Sequence, residues 1–184
     1  QLTELQRQAD ALTEQAGSRN AAVAATRQAG EVGAVSAALV ALRGPGVEIV
    51  LDDTPQGPEG GRPADATPDD LVIHQSDVQA VVNAVWAAGA DGVVIMGRRL
   101  IATSAVICVG NTLLLQGRTY SPPFVIEAIV DSDAVRAELA ASPQVAVLQQ
   151  AVADFGLTFS VEPRSEVRLP AYDGPLDMEY ATAG

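Results

Sequence analysis

Lysine is absent from this chain of 184 residues, cysteine and histidine each occur once, and aromatic residues make up only 4% of the sequence. A single cysteine, Cys108, excludes an internal disulfide, and no second soft ligand lies near it in sequence to complete a zinc site. Nucleophilic catalysis needs a Ser or Cys beside a base that a third group orients, and His74 is the one imidazole available. We therefore expect no catalytic residues, no metal and no cofactor, and a core packed with Val, Leu, Ile and Ala.

The basic residues are all arginine and number 11 against 23 acidic ones, which gives a formal net charge of −12 at pH 7. Binding to nucleic acid or to an anionic membrane surface needs clustered basic residues, so this balance argues against both through a basic patch. The apolar runs fall short of the ~20 residues of a membrane span, and no signal peptide opens the sequence. Because the chain begins with Gln1 and not Met, we expect it to be a shortened or processed form, so that any membrane anchor would lie in a segment upstream of it.

The first 42 residues carry helical signals. Apolar residues follow an a/d heptad pattern over roughly two heptads, at Leu2, Leu5, Ala9, Leu12 and Ala16. The pattern then decays, because Arg19 and Thr26 occupy the next d positions. Two interpretations of this segment therefore remain, an exposed helix and a short stalk that dimerises. A second helical run, Val35 to Leu42, is predicted to stop at the breaker Gly44-Pro45-Gly46. We expect residues 1–42 to form an N-terminal helical stalk.

Residues 43–163 carry the patterns of one α/β domain, and its first half predicts a strand, a loop and a helix. Val47 to Leu51 alternates as a strand does, and Asp53 to Asp70, rich in Pro, Gly and Asp, predicts a long loop. Ser76 and Gln79 resemble a capping box that opens a helix, and Gly89 is expected to end it. An apolar stripe on this helix is expected to face the core, at Val78, Val81, Val82, Val85 and Trp86.

The second half of the domain predicts short strands and another helix. Gly92 to Met96 and Phe124 to Val130 have the length and hydrophobicity of buried strands. Between them, turn signals separate short strand-like runs and predict an antiparallel meander, at Gly97-Arg98, Gly110-Asn111 and Gly117-Arg118. Helical signals resume at Ser132, an expected N-cap, and restart at Ser142-Pro143, which opens the last helix. Leu157 to Val161 is expected to be the last strand. Residues 164–184 are expected to form an extended tail.

In order, these elements are strand, helix, strand, inserted meander, strand, helix and strand. The order predicts an α+β fold, a ferredoxin-like βαββαβ plait with an inserted β-meander, preceded by an N-terminal helix. A parallel doubly wound sheet is the alternative. It is less favoured, because the hairpin signals cluster in the middle of the domain, where a parallel sheet needs crossover helices.

Few polar residues offer chemistry, and four are candidates for ligand binding. His74 and Ser76 lie at the predicted start of a helix, whose N–H groups attract anions. Arg98 and Arg99 are consecutive cations at a predicted turn, and they could line an anion site with Thr103, Ser104 and Asn111. For each the plainer interpretation is favoured: a histidine in a loop before a helix, and arginines that point to opposite sides into solvent.

Other signals for a site are weak. The paired acids Asp52-Asp53 and Asp69-Asp70 lack the spaced oxygen ligands of a calcium loop, so solvated charge is favoured over a metal site. The sequence contains no P-loop, no dinucleotide-binding fingerprint, no C-x-x-C and no G-x-S-x-G elbow. These absences leave an enzyme as the least favoured class of protein.

Several short motifs occur together and in order from Ala41 to Pro163. They are Leu42-Arg43-Gly44-Pro45-Gly46-Val47, Leu51-Asp52-Asp53, His74-Gln75-Ser76-Asp77-Val78-Gln79, Val82-Asn83, Trp86-Ala87-Ala88-Gly89-Ala90, Ala102-Thr103-Ser104-Ala105 and Ser121-Pro122-Pro123. With these motifs the chain resembles the bacterial domain-of-unknown-function family 881. The resemblance implies a membrane anchor, a helical stalk and an extracytoplasmic plait-like domain, sometimes encoded near cell-division genes. The family has no established catalytic residues, so none are assigned here.

Together these features predict a non-catalytic, extracytoplasmic interaction module of a membrane-anchored envelope protein, linked to cell division or envelope growth. Its partner is expected to be a protein, including a second copy through the N-terminal helix, and its address the outer side of the cell membrane. The alternative is a domain that binds a small anionic ligand near Arg98, Arg99 and the helix end at Ser76. A pocket lined by His74 and the two arginines would favour that alternative.

Overall fold

The computed structural model describes residues 5, 7–9, 12, 21–55, 65–101, 104, 106–109 and 112–174. Most of the predicted heptad, the centre of the predicted loop, Thr103, Asn111 and the end of the chain lie outside these residues. The chain divides into two units, Gln1–Val40 and Ala41–Gly184. The described elements are, in order, α1 (Ala21–Ser36), β1 (Leu42–Asp52), a 3₁₀ turn (Asp69–Leu71), α2 (Gln75–Ala87), β2 (Gly92–Ile95), β3 (Arg98–Arg99), β4 (Val106–Val109), β5 (Thr112–Leu115), β6 (Arg118–Tyr120), β7 (Phe124–Ile129), α3 (Ser132–Ala141), α4 (Pro143–Phe155) and β8 (Thr158–Leu169).

The second unit is built on an antiparallel sheet of five strands in the order β3-β2-β7-β1-β8. At its centre Ile49 of β1 pairs with Ile126 of β7 on one side and Val161 of β8 on the other. The predicted α+β class is confirmed, and the pairings are antiparallel, unlike those of a parallel doubly wound sheet. The predicted meander is a separate sheet of β4, β5 and β6, joined by hairpins.

The prediction that Gly44-Pro45-Gly46 ends a helix is wrong. Helix α1 ends at Ser36, and the three residues lie inside β1, where the pairing with β8 shifts register between Gly44 and Gly46. A side chain at Gly46 would collide with the carbonyl oxygen of Ala128 on β7. Glycine is therefore required for a close approach of two strands, and this need for space outweighs the tendency of the tripeptide to break regular structure.

The last strand is longer than predicted. β8 continues past Val161 to Leu169, and its distal part pairs with Leu42–Gly44 beyond the register shift. Residues 164–169, which the sequence assigned to the tail, thus belong to the sheet. Val167 and Leu169 are buried with Val94 and Ile129 in a small second core on the sheet face opposite the helices.

Helices α2, α3 and α4 share one core with the sheet, built from alternate residues of the strands and one stripe of each helix. On α2 the buried stripe is centred on Val78, Val81 and Val85. The prediction that Trp86 belongs to this core is wrong in part, because the residue lies at the margin of the stripe and is 40% exposed. Gly89 and Gly156 adopt positive φ angles of 83° and 78° after α2 and α4, as a residue that ends a helix does.

Helix starts differ from the prediction at two places. The N-cap of α2 is His74 and not Ser76, and Asp77, three residues after His74, accepts the His74 backbone N–H at 2.8 Å. At α3 the cap is Asp131, which accepts from two backbone N–H groups, and not Ser132. At both starts a carboxylate accepts backbone N–H groups, Asp77 from the third position of α2 and Asp131 from the cap of α3, and its charge also favours the positive end of the helix dipole. Ser142 caps α4 with Pro143 following, as predicted.

Among the described strands, β8 and the two-residue β3 form the two edges of the main sheet, and polar side chains modify the β8 edge. Arg136 of α3 donates a hydrogen bond of 3.1 Å to the carbonyl oxygen of Val161, which therefore faces away from β1. Two residues on, Pro163 has no N–H to offer at the same edge. On the sheet face opposite the helices, Glu48 lies directly between Glu127 and Glu162 on the neighbouring strands.

Candidate functional site

The four predicted site residues do not meet in one pocket. His74 caps the start of α2, with its Nε2 3.3 Å from Asp69 and its Nδ1 3.6 Å from Asp77. Both neighbours are carboxylates, so this end of the helix is already supplied with acceptors for the imidazole. An external anion would have to displace them, and His74 therefore acts in this structure as part of the helix cap.

Ser76 lies in a groove of about 460 Å³ between α2 and the junction of α3 and α4. The groove has a floor of alanines and a rim of amide, hydroxyl and carboxylate groups, contributed by Ser76, Gln79, Ala80, Asn83, Ala84, Ala87, Glu138, Ala141, Ser142 and Gln144. No cationic side chain is among these lining residues, and neither His74 nor the two arginines reach it. The groove thus lacks the positive charge that the anionic-ligand alternative requires.

Arg98 is held at the edge of the sheet by two polar contacts. Its Nη2 lies 2.8 Å from a carboxylate oxygen of Asp173, and its Nε donates to Oε1 of Gln116 at 2.9 Å. Gln116 in turn donates to the carbonyl oxygen of Arg99 at 2.9 Å. Arg98 therefore links β3 to the hairpin between β5 and β6 and to the segment that follows β8.

The side chain of Arg99 points to the opposite face of the sheet from that of Arg98, because consecutive residues of a strand point to opposite faces. It is only 2% exposed, and it donates from Nη1 to the carbonyl of Pro170 and from Nη2 to the carbonyl of Asp91, both at 3.4 Å. Its Nε is buried and has no hydrogen-bond acceptor among the described residues. Burial lowers the pKa of the Arg99 guanidinium below its ordinary value, because water no longer solvates the charge. The expectation that both arginines point into solvent is wrong for Arg99.

The paired acids accept hydrogen bonds from nearby segments of the chain. Asp53 accepts the N–H of Ile73, and Asp70 accepts both the N–H and the hydroxyl of Thr67. Across the part of the chain that the structure describes, no three His, Cys, Asp or Glu side chains are placed to hold a metal ion. These carboxylates therefore fix the ends of the loop that precedes α2.

A feature missed in the sequence is the surface of the helical layer. The exposed positions of α2 carry no charge at all: Gln75, Ser76, Gln79, Asn83, Trp86 and Ala87. The exposed positions of α4 carry a single charge, that of Asp154. They are Pro143, Gln144, Ala146, Val147, Gln149, Gln150, Ala153 and Asp154. Trp86 is 40% exposed and Val147 68%. The sequence contained the signal, because uncharged residues recur at helical spacing on the faces opposite both apolar stripes.

Comparison with known proteins places the chain in a family. Residues 31–182 match the family described as a bacterial protein of unknown function, DUF881. The chain belongs to this family, and the resemblance seen in the sequence is confirmed.

Two relatives extend the comparison. The UPF0749 protein YlxW of Bacillus subtilis (strain 168) is 33% identical over 94 residues, which are 51% of this chain and 38% of that protein. The match thus spans well under half of the length of that relative. An uncharacterised conserved protein from Mycobacterium tuberculosis, known from a crystal structure, is 24% identical with a TM-score of 0.59, over 82% of this chain and 96% of that one. This second likeness shows that the fold is shared.

No helix among the described residues has the length and hydrophobicity to cross a membrane.

Proposed function

We propose that this chain is a non-catalytic interaction module that binds a protein partner through the exposed surface of α2 and α4, here called the helical face. The observation that carries the proposal is the near absence of charge on that face, with Trp86 and Val147 exposed on it. Protein interfaces are depleted of charge at their centres and enriched in aromatic residues, and Trp is a frequent anchor of binding energy.

The contrast with the rest of the unit supports this choice of surface. Of the six exposed positions between Glu162 and Arg168 on β8, four carry charge: Glu162, Arg164, Glu166 and Arg168. A chain of net charge −12 keeps its charges where water solvates them, so an uncharged helical face is a local exception. A docked partner offers a physical reason for it, because burying charge without pairing is costly.

The chemistry of the helical face also limits the partner. Its groove offers methyl groups below and side-chain amides above, from Gln79, Asn83 and Gln144, with Glu138 as the single charge. Amides both donate and accept hydrogen bonds, so they suit exposed peptide groups and uncharged side chains. We expect a protein surface that is itself poor in charge, and not a nucleic acid or an anionic lipid.

The cellular setting is proposed from family membership. We propose that the module lies on the extracytoplasmic side of the cell membrane, in a membrane-anchored envelope protein linked to cell division or envelope growth. In fold, we propose a ferredoxin-like plait, supported by the order β2-β7-β1-β8 of the four main strands and by helices in both crossovers.

Site-specific photocrosslinking in cells tests the helical face directly. A photoreactive residue is placed at Asn83 or at Val147, and at Glu166 or Arg168 of β8 as matched exposed controls. We expect one defined partner protein, identified by mass spectrometry, from the helical positions only. Adding Trp86→Ala should reduce that crosslink at least threefold. Crosslinking that is equal at the β8 positions, or unaffected by Trp86→Ala, contradicts the proposal.

Cell fractionation of the full-length protein tests the setting. We expect it in the membrane fraction, and we expect a protease added outside the membrane to cleave the domain. Recovery in the soluble fraction would overturn the membrane proposal. It would not affect the proposal for the helical face, which the crosslinking experiment tests separately.

A further inference from the structure

The groove beside α2 contains one carboxylate that the fold leaves without a partner. Glu138 lines this groove and is half-buried, and no ion pair or hydrogen bond joins its carboxylate to another of the described residues. No cationic side chain is among the lining residues. By contrast, Glu48 and Glu166 are paired with Arg164 and Arg168. Glu138 therefore gives the groove a negative charge that nothing in its lining compensates.

The position of Glu138 within α3 adds to this negative charge. The residue lies in the last turn of the helix, whose carbonyl groups form the negative end of the helix dipole. Basic residues are favoured at such a place, and α3 has none in its last turn. At its other end the same helix has the favourable charges, with Asp131 as the cap and Asp133 in the first turn. The carbonyl end of α3 thus lacks a cation, and a binding partner can supply one.

The other polar groups of the groove suit peptide groups. Gln79 donates from Nε2 to Oδ1 of Asn83 at 2.9 Å, which leaves Oε1 of Gln79 to accept and Nδ2 of Asn83 to donate. Gln144 accepts from the hydroxyl of Ser142 at 3.3 Å through Oε1, so its Nε2 is also left to donate. Each peptide group offers one donor and one acceptor, and the short alanine side chains of the floor let a backbone approach closely. The volume of about 460 Å³ is in the range of binding sites for small ligands.

We propose that the groove binds a short extended segment of the partner protein, and that this segment carries one basic side chain, paired with Glu138, among uncharged residues. The inference rests on the proposed function, because the groove is part of the helical face. Charge complementarity selects this occupant. The net charge of −12 attracts cations over the whole surface, and Glu138 with the carbonyl end of α3 determines where the cation binds. Arginine is preferred to lysine, because its planar guanidinium can donate two parallel hydrogen bonds to one carboxylate.

Two blocked peptides test the groove on the full 184-residue chain. One is acetyl-Ala-Ser-Arg-Ser-Ala-amide, and the other has citrulline, the uncharged analogue of arginine, at its centre. Binding is followed by ¹⁵N NMR of the backbone amides. We expect the arginine peptide to bind about two- to fivefold more tightly, the range of a partly exposed ion pair, and to shift the amides of Asn83, Glu138 and Gln144. Equal binding of the two peptides, shifts confined to other residues, or no binding at millimolar concentration overturns the proposal.

Two variants that change the net charge equally locate the cation. Glu138→Gln should reduce binding of the arginine peptide to the level of the citrulline peptide, whereas Glu166→Gln on the exposed part of β8 should leave it unchanged. Glu138→Gln should not lower the melting temperature, because it removes a charge that the helix dipole disfavours. That measurement separates a role in binding from a role in folding. Loss of the difference between the peptides in both variants, or in neither, contradicts the proposal.

Photocrosslinking in cells separates this inference from the proposed function. With the photoreactive residue at Val147, Glu138→Gln should weaken the crosslink to the partner by about two- to fivefold. If Trp86→Ala weakens this crosslink and Glu138→Gln does not, the helical face is retained and the basic segment is rejected. If no helical position gives a crosslink, the proposed function fails, and the peptide titration still decides whether the groove prefers a basic side chain. A crosslink to a second copy of this chain would overturn the assignment to a different protein.

Discussion

The guanidinium of Arg99 lies over Gly92 of the neighbouring strand, so that a Cβ atom at position 92 would stand 2.5 Å from Nη2 of Arg99. The same atom would stand 2.8 Å from Cδ1 of Leu169. Because Gly92 has no side chain, the buried guanidinium of Arg99 fills the space beside it, next to Leu169 at the end of β8. The contact thus joins the hairpin of β2 and β3 to the end of β8, about seventy residues later in the sequence.

Gly92→Ala is expected to destabilise the domain by about 1–3 kcal/mol, because the added methyl group overpacks a site already filled by Arg99 and Leu169. Urea unfolding measures the change. Gly33→Ala in α1 is the control, since a Cβ there meets nothing within 4 Å. That control should be neutral or favourable to the helix. Equal destabilisation by the two substitutions would contradict the packing described for Arg99.

Trp86→Ala is expected to destabilise the fold by only about 1–2 kcal/mol, because the ring is 40% exposed and leaves no closed cavity when removed. Phe124 on β7 is the matched aromatic with no exposed surface. Phe124→Ala should cost about 3–5 kcal/mol, the range of a fully buried aromatic. Denaturant unfolding of both variants compares them. A loss for Trp86 as large as that for Phe124 would place the ring in the core and weaken the case for the helical face.

Asp77→Ala is expected to lower stability by about 1 kcal/mol, because Asp77 accepts the His74 N–H at the start of α2. Ser76→Ala, one residue away and exposed, should change stability by less than about 0.5 kcal/mol. Thermal unfolding followed by circular dichroism distinguishes the two. The reverse order of effects would restore Ser76 as the cap that the sequence indicated.

Glu127→Gln is expected to stabilise the domain at pH 7 by up to about 1 kcal/mol, a figure limited by solvent screening. Burial raises the pKa of Glu127 above its ordinary value of 4.5, the charge of Glu48 raises it further, and Arg164 opposes them. The folded chain therefore holds this proton to higher pH than the unfolded chain does. Stability should fall as pH rises from about 4.5 through the folded pKa, and the variant should lose that part of the fall.

The pH test compares the free energy of unfolding at pH 4 and pH 7 for the unchanged chain and for Glu127→Gln. Glu166→Gln, on the exposed part of β8, is the control and should leave the pH dependence as it is. A Glu127→Gln variant less stable at pH 7 than the unchanged chain would show that Glu127 is a favourable charge, and the pKa shift would then have the opposite sign.

Removing residues 1–30 should leave the domain folded, because the residues of its main core begin at Val47. Differential scanning calorimetry should still show a cooperative transition. A chain that ends after Gly156 is the opposite case, since it loses β8, which pairs along β1. That variant should not fold. Loss of the transition in the first variant would mean that the N-terminal residues contribute to the core.

The type and order of most elements follow from the sequence, because amphipathic helices and buried strands carry clear hydrophobic periods. Their ends follow less well. Gly44-Pro45-Gly46 has the composition of a breaker, and its role depends on Ala128, more than eighty residues away. The length of β8 depends in the same way on pairing with Leu42–Gly44, which only the folded sheet supplies. Such features are set by tertiary contacts, so local patterns did not predict them.

The candidate sites were predictable to a smaller extent. Strand geometry implies that Arg98 and Arg99 point to opposite faces, yet the burial of Arg99 depends on Pro170, 71 residues away. Their separation from Ser76 could not be deduced, because it depends on how the sheet edge and the helical layer are placed in the fold. The uncharged helical face was visible in the sequence as Gln75, Gln79 and Asn83, but its meaning depends on knowing which positions face water.

The modified edge of β8 bears on how many copies of this domain can be crowded together. An uninterrupted outer strand would invite a second copy to add its own strand. Pro163 and the contact from Arg136 to Val161 interrupt that edge near its middle. A second copy is therefore hindered from adding its own strand along β8, which disfavours a continuous sheet between copies.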